Sequence, residues 1–237
     1  MLFRDRHEAG RILASRLSHY ADRPDVLVLA LPRGGVPVGF EVARRLRVPL
    51  DVFLVRKLGV PGREELAMGA IGTGGAVVLN DIVDALGISD VEVAEVIARE
   101  RAELERREHL YRGNRPPPDV RGRRVILVDD GAATGASMHV AVAALRRLEP
   151  EGIVVGLPVG AAGACESFET EADETVCAEI PEPFYSVGLW YSDFSQVTDE
   201  EVRALLERAA AAALAADSER GSHAADESLT GPQETRG

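Results

Sequence analysis

This sequence predicts an α/β fold, a parallel sheet flanked by helices. Three observations carry that expectation. Residues 26–31, 50–55, 125–128 and 152–159 are short, uninterrupted apolar runs. Strands buried on both faces look like that, whereas half-exposed strands alternate. The segments between most of the runs have helical spacing or helix-capping signals, and strands alternating with helices imply crossover connections in a parallel sheet. Gly-rich or charged residues follow several of the runs, at the strand ends where such sheets bind ligands.

The elements follow in order. Residues 5–20 carry Ile12, Leu13 and Leu17 at helical spacing. The run 26–31 is broken by Pro32, Arg33, Gly34 and Gly35, and 38–46 reads as a helix. The run 50–55 is a second strand, followed directly by Arg56 and Lys57. Residues 59–65 form a polar loop with Pro and two Gly. Residues 67–71 and 76–79 flank Gly72-Thr73-Gly74-Gly75, the signature of a hairpin. Ser89 with Glu92 makes a capping box that opens a charged helix to about Tyr111. Pro116-Pro117-Pro118 ends that unit as a stiff connector. The runs 125–128 and 152–159 and a short one at 175–178 supply further strands. Residues 180–196 hold most of the aromatics. Thr198 with Glu201 is a second capping box, opening a helix through Arg208. An Ala run follows. Residues 217–237, rich in Ser, Gly, Glu and Thr, have little to bury and read as disordered. The expected organisation is one domain over 1–208 and a tail over 209–237.

The most informative stretch is 125–137. Four buried apolar residues end in Asp129 and Asp130; then come Gly131, Ala132, Ala133, Thr134, Gly135, Ala136 and Ser137. A turn of small residues at the start of a helix exposes backbone N–H groups, which bind anions. Thr134 and Ser137 add hydroxyls. Two carboxylates facing a phosphate would repel it, so they fit neutral hydroxyls of the same ligand. A ribose 5-phosphate has both parts. There is no GxxxxGK[ST], hence no P-loop, and no GxGxxG follows a strand.

This stretch resembles the 5-phosphoribosyl-1-pyrophosphate (PRPP) signature of type I phosphoribosyltransferases in every element, and the order of parts agrees over residues 26–195. The resemblance implies that Asp129 and Asp130 contact the ribose hydroxyls and that residues 132–137 cradle the 5-phosphate. It implies a pyrophosphate loop at Arg33 and Gly34, with a cis peptide at Arg33-Gly34. Arg56 and Lys57 are similar to the Arg-Lys pair of adenine and related enzymes, with Lys57 acting in catalysis beside the two aspartates. Residues 59–65 correspond to a flexible flap in which Arg63 reaches the pyrophosphate. Residues 179–196 correspond to a small C-terminal hood, where Phe184 or Trp190 stacks on the base and Asp193 approaches the metal. The 6-oxopurine enzymes carry Asp where this chain has Ala133, which speaks against a purine-specific role.

The implied reaction transfers phosphoribosyl from PRPP, with Mg²⁺ as cofactor, to the nitrogen of a nucleobase-like heterocycle. Pyrophosphate is released, and the setting is nucleotide salvage. The alternatives are a PRPP-sensing regulatory protein without catalysis and a sugar-phosphate phosphohydrolase. Little sequence precedes Val26, which argues against a DNA-binding module and so against a repressor. The substrate and a base are the expected partners, with a homodimer as a candidate assembly.

Composition bounds the rest. A formal charge of −12 disfavours nucleic acid, although a cleft can focus positive potential against the net charge. No apolar run reaches the ~20 residues of a membrane span. The charged start, Arg4-Asp5-Arg6, is unlike a secretory signal. Cys165 and Cys177 form no CxxC and have no adjacent His, so they read as two buried thiols in a reducing, cytoplasmic setting.

Overall fold

The computed structural model describes residues 2–227, and the backbone alone over 216–227. Helix α1 (Arg6–Arg16) starts at Asp5, whose carboxylate accepts the Glu8 N–H. Strand β1 (Val26–Ala30), helix α2 (Gly35–Leu46) and strand β2 (Leu50–Val52) follow. Next come β3 (Val55–Val60), β4 (Arg63–Gly72), β5 (Val77–Leu79), the short α3 (Ile82–Leu86) and the long α4 (Asp90–Arg112). Strand β6 (Arg124–Val128), α5 (Ala136–Arg146), β7 (Gly152–Val159), α6 (Ala162–Phe168), β8 (Glu174–Glu179) and α7 (Asp199–Glu227) complete the order.

Strands β2-β1-β6-β7-β8 form one sheet, parallel throughout. Its pleat sorts side chains by parity. Leu27, Leu29, Val125 and Leu127 pack with Met138, Leu145 and Phe168 of α5 and α6. Val28, Ala30, Ile126 and Val128 pack on the other face with Leu13, Leu17, Val38 and Val42 of α1 and α2. Fully burying one such side chain stabilises by roughly 1.5–3 kcal/mol, so the continuous apolar runs are accounted for by two covered faces.

Strands β3-β4-β5 form a separate antiparallel sheet. The expected strand over 50–55 is divided between the two sheets. Phe53 N–H still donates to Ala30 O, but Leu54 N–H donates to the Thr73 hydroxyl and Leu54 O accepts from Thr73 N–H. Arg56 and Lys57 therefore lie within β3, opposite Ile71 and Ala70, instead of after a parallel strand. The segment expected as a flexible flap, 59–65, is the tip of the β3–β4 hairpin, with Val60 opposite Arg63 across Pro61-Gly62 and Gly62 at φ 73°.

The Ser89–Glu92 capping box of α4 is present in both directions. At the other end of α4 the buried Arg112 pairs with Asp51 at 2.8 Å and Glu108 at 3.0 Å. Helix α7 begins beyond Thr198, which accepts the Glu201 N–H, and does not stop at Arg208. The Ala run continues it, alanine being the residue that favours helix most. Of the tail expected over 209–237, residues 209–227 are helical and 228–237 lie outside the described residues. Cys165 and Cys177 are joined in a disulfide, not free. The α6–β8 connection brings them together 12 residues apart, a pairing the absence of a CxxC did not disclose. Among the described residues no helix is long and apolar enough to cross a membrane.

Candidate functional site

The site starts from the parity of β6. Side chains at 125 and 127 face α5, and those at 126 and 128 face α1 and α2. Continuing that alternation, the two aspartates diverge. Asp129 lines a cavity of about 400 Å³ together with Ser137 of α5 and Arg33 of the β1–α2 loop. Asp130 turns towards α1, where its carboxylate accepts from Arg6 Nε at 2.8 Å. Arg6 thus engages Asp130, while Asp129 lines the cavity. Burial, and after it the charge of Asp130, pushes the Asp129 carboxyl well above the usual carboxylate range. Burial also raises Asp130, against the opposing pull of Arg6.

Gly34 and Gly35 permit this arrangement. A Cβ at Gly34 would stand 2.1 Å from an Asp130 carboxylate oxygen, and one at Gly35 would stand 2.8 Å from Val128 O. The loop is therefore backed directly onto the end of β6. Its cis peptide is Pro32-Arg33, one bond before the expected Arg33-Gly34. Gly34 already has helical angles, φ −60° and ψ −35°, and belongs to the start of α2.

The loop over 131–137, expected to cradle a phosphate, is held at its base and open at its tip. Ala132 is buried, donating to Val159 O and accepting from Ala161 N–H, so its amide is spent in the sheet. Ala133, Thr134, Ala136 and Ser137 are exposed. Gly135 sits at φ 73°, and a Cβ there would stand 2.5 Å from the Phe168 ring. The α5 ladder starts with His139 N–H donating to Gly135 O. The amides before it have no helical carbonyl to meet, and they lie at the positive end of the helix dipole. Backbone donors and two hydroxyls thus surround the tip.

The remaining expected residues distribute as follows. Arg56 is paired with Glu100 of α4 at 2.6 Å, and Lys57 donates to Glu65 O at 3.1 Å. Both line a different cleft, with Glu64 and Arg99. Arg63 lines a third, between the hairpin tip and Ile88. None of the three lines the Asp129 cavity, because β3 turns away from the parallel sheet at Leu54. In the hood, Phe184 and Trp190 stack on each other with centroids 6.5 Å apart. They pack around Phe3, Val159 and Tyr191, which gives both a packing role. Asp193 is exposed. Its carboxylate accepts the Ser195 N–H, which holds it below the usual range. Among the described residues no group of three His, Cys, Asp or Glu could hold a metal ion.

Several residues of this region had no local sequence signal. Arg6 reaches 124 positions along the chain to Asp130, donates to Ser195 O at 2.8 Å and stacks 3.9 Å above the Phe194 ring. Tyr191 donates to Asp130 O at 2.6 Å. Helix α4 lends Arg106, Arg107 and Tyr111 to the cavity wall, and Asp199 at the start of α7 closes it. Tyr111 donates to Asp199 at 2.6 Å; its phenol is pushed up to about 12, by burial first and then by that bond.

A parallel α/β sheet carries, at its strand ends, a loop of small residues at a helix start and a carboxylate on the adjoining strand. The chain belongs to the phosphoribosyl transferase family, whose domain model matches residues 5–194. Two Mycobacterium tuberculosis proteins, from strains CDC 1551/Oshkosh and ATCC 25618/H37Rv, are each 45% identical over 214 residues and are described provisionally as phosphoribosyl transferases. The match covers 88% of this chain and 47% of theirs, so the chain spans about half the length of these curated relatives. The crystal structure of TT1426 from Thermus thermophilus is 46% identical, with a TM-score of 0.76, covering 87% of this chain and 98% of that one.

Proposed function

We propose that this chain is a PRPP-dependent phosphoribosyltransferase that substitutes a nitrogen nucleophile for pyrophosphate at the anomeric carbon. The observation that carries the reading is the exposed tip at Ala133, Thr134, Ala136 and Ser137, adjoining the cavity that Asp129, Ser137 and Arg33 share. The amides at the start of α5, of which that of Ala136 donates to the Thr134 hydroxyl at 3.4 Å, would hold the 5-phosphate with the Thr134 and Ser137 hydroxyls. Asp129 would accept from a ribose hydroxyl. Arg33 would meet the leaving group, whose oxygens gain charge as the C–O bond breaks. The bond electrons leave with pyrophosphate, the acceptor nitrogen bonds to carbon, and its proton is lost to pyrophosphate or water. Positioning and electrostatics suffice, without a covalent intermediate.

Magnesium fits this site as an ion brought in on the ligand. Mg²⁺ keeps most of its waters and takes one or two carboxylates plus ligand phosphates. Asp129 and Asp199 both line the cavity, and since Tyr111 donates to Asp199, Asp129 is the carboxylate that would meet the ion. When bound, the ion would neutralise charge on pyrophosphate. Lys57, held at Glu65, and Arg63, at the hairpin tip, are assigned no step. The acceptor would be a nucleobase-like heterocycle, with Ala133 disfavouring a 6-oxopurine, while Phe184 and Trp190 keep the packing role described above.

The same reading makes this a nucleotide-salvage enzyme of the cytoplasm, since its charged substrates do not cross membranes unaided. A Cys165–Cys177 bond persisting in thiol-blocked lysates would instead point to an oxidising compartment. The deciding experiment is pyrophosphate release from PRPP and Mg²⁺ across a panel of nucleobases. Turnover with one base establishes the reading. PRPP binding with no turnover on any base would replace it with a sensor, and phosphate release without a base would replace it with a hydrolase.

A further inference from the structure

The cavity wall opposite the phosphate loop is cationic in a way the family motif does not account for. Arg106, Arg107, Leu110 and Tyr111 of α4 all line it. Arg106 with Leu110 and Arg107 with Tyr111 are each four residues apart, which places each pair on one side of the helix. Arg33 enters from the β1–α2 loop. Three guanidiniums from two elements thus meet two acids. Asp199 is engaged by Tyr111 at 2.6 Å, and Asp129 is pushed by burial towards its neutral form. The balance on the wall is positive in a chain whose formal charge is −12.

Arg106 and Arg107 share one counterion outside the cavity. Glu103, one turn earlier, accepts from Arg106 Nε at 2.7 Å and Arg107 Nε at 2.8 Å. Both pairs are solvent-exposed, with side-chain exposures of 63% and 45% for the arginines. Exposed pairs of this kind stabilise little and exchange readily. A polyanion in the cavity offers the same two forks more oxygens, in the bidentate geometry guanidinium favours. Arg56 and Lys57, the cations the sequence pattern suggested, line a separate cleft.

We infer that Arg106 and Arg107 of α4, with Arg33, form the diphosphate-holding wall of the cavity, and that Glu103 is the internal anion they release when a ligand enters. The inference rests on the phosphoribosyltransferase reading for the identity of the ligand, but not for the existence of the anion site.

Calorimetry with three probes separates the two. Inorganic pyrophosphate, ribose 5-phosphate and PRPP, each with Mg²⁺, would be titrated into the full chain and into R106Q/R107Q, E103Q and T134V. Glutamine preserves helix propensity, and unchanged melting curves would confirm the fold. R106Q/R107Q should lose on the order of tenfold or more affinity for pyrophosphate and PRPP while ribose 5-phosphate is unaffected. E103Q should bind pyrophosphate severalfold more tightly, a gain that damage to the fold cannot mimic. T134V should lose ribose 5-phosphate and PRPP but keep pyrophosphate. Equal pyrophosphate affinity in the wild type, R106Q/R107Q and E103Q overturns the arginine wall and leaves the family reading standing. Pyrophosphate binding that depends on Arg106 and Arg107, with no binding of PRPP or ribose 5-phosphate, upholds the wall and sinks the phosphoribosyl reading. A wild type that binds none of the three overturns both.

Discussion

Asp129 shows at the scale of one residue how the proposed function would oppose stability. Its carboxyl is buried beside Asp130, so its folded pKa stands above the unfolded value. The folded protein then holds that proton more tightly than the unfolded chain does. The associated stability is full below the ordinary carboxylate range and is lost as pH rises through the raised value. Asp129→Asn removes the loss. The variant should melt higher than the parent at pH 7, with the difference fading towards pH 4, while its PRPP affinity falls tenfold or more. Melting curves across that range check the sign, and a lower Tm at pH 7 would refute it. Gly135 makes a complementary point. At φ 73° and 2.5 Å from Phe168, a Cβ is strained twice over. Gly135→Ala should cost ~1–3 kcal/mol and weaken ribose 5-phosphate in the same variant, by calorimetry beside chemical denaturation. Both residues were legible in the sequence, because the apolar run, acid pair and Thr-Gly turn are contiguous. The divergence of the two acids was not. It depends on which helices cover each face of β6, and nothing local to residues 125–137 says so.

Between elements, α1 does more than its sequence suggests. It was legible as a helix from Ile12, Leu13 and Leu17, but nothing near Arg6 announced that this side chain would join β6 to the hood. The Arg6–Asp130 pair is nearly buried, with side-chain exposures of 11% and 15%. Removing one partner of such a pair strands the other charge, at ~3–5 kcal/mol. Arg6→Met should lose stability on that scale, and R6M/D130N should recover most of it, because neither charge remains. A double-mutant cycle by urea denaturation measures this; additive losses would show that the two side chains act separately. The antiparallel sheet taught a related lesson. The hairpin at 72–75 was visible from its glycines, yet the pairing of β3 with β4 was hidden, because residues 59–65 carry the Pro and Gly of a loop. Only Pro61 and Gly62 make the tight turn; Gly59 and Val60 belong to β3, and Arg63, Glu64 and Glu65 belong to β4, at exposed positions that tolerate polar side chains.

For the whole molecule, ligand and covalent links set the melting behaviour. PRPP with Mg²⁺ should raise Tm in proportion to the logarithm of its concentration, about 2.7 kcal/mol at a hundredfold excess over Kd. Neither NAD nor ATP should match it in thermal-shift measurements, and no shift at millimolar PRPP would count against the proposed function. The Cys165–Cys177 link closes a loop of 12 residues beside the Ala132–Gly160 bridge that anchors the phosphate loop. By loop closure it stabilises by about 3 kcal/mol. Dithiothreitol should therefore lower Tm in the wild type and have no effect on C165A/C177A. An identical response in both would show that the bond is not formed in solution. The parallel order β2-β1-β6-β7-β8 follows from runs of buried residues that any reader of the sequence can find. What closes the molecule around them is long-range and was not legible.

The hook between α1 and the hood has a further consequence, for synthesis. Arg6 meets Ser195 across 189 positions and Asp130 across 124, and Phe3 bridges Tyr191. A ribosome adding ~5–20 residues per second reaches the hood roughly 10–40 s after α1 emerges. Throughout that interval Phe3 and Ala9 have no hood to cover them, and Arg6 has no aromatic ring to lie on. Contacts this distant also carry the largest loop-closure cost, so they form after the local strand–helix units. The strand-end carboxylates and the phosphate loop can thus be assembled on the nascent chain well before the lid of aromatics is latched. The last event of folding is then the one that ties the first helix to the final third of the domain.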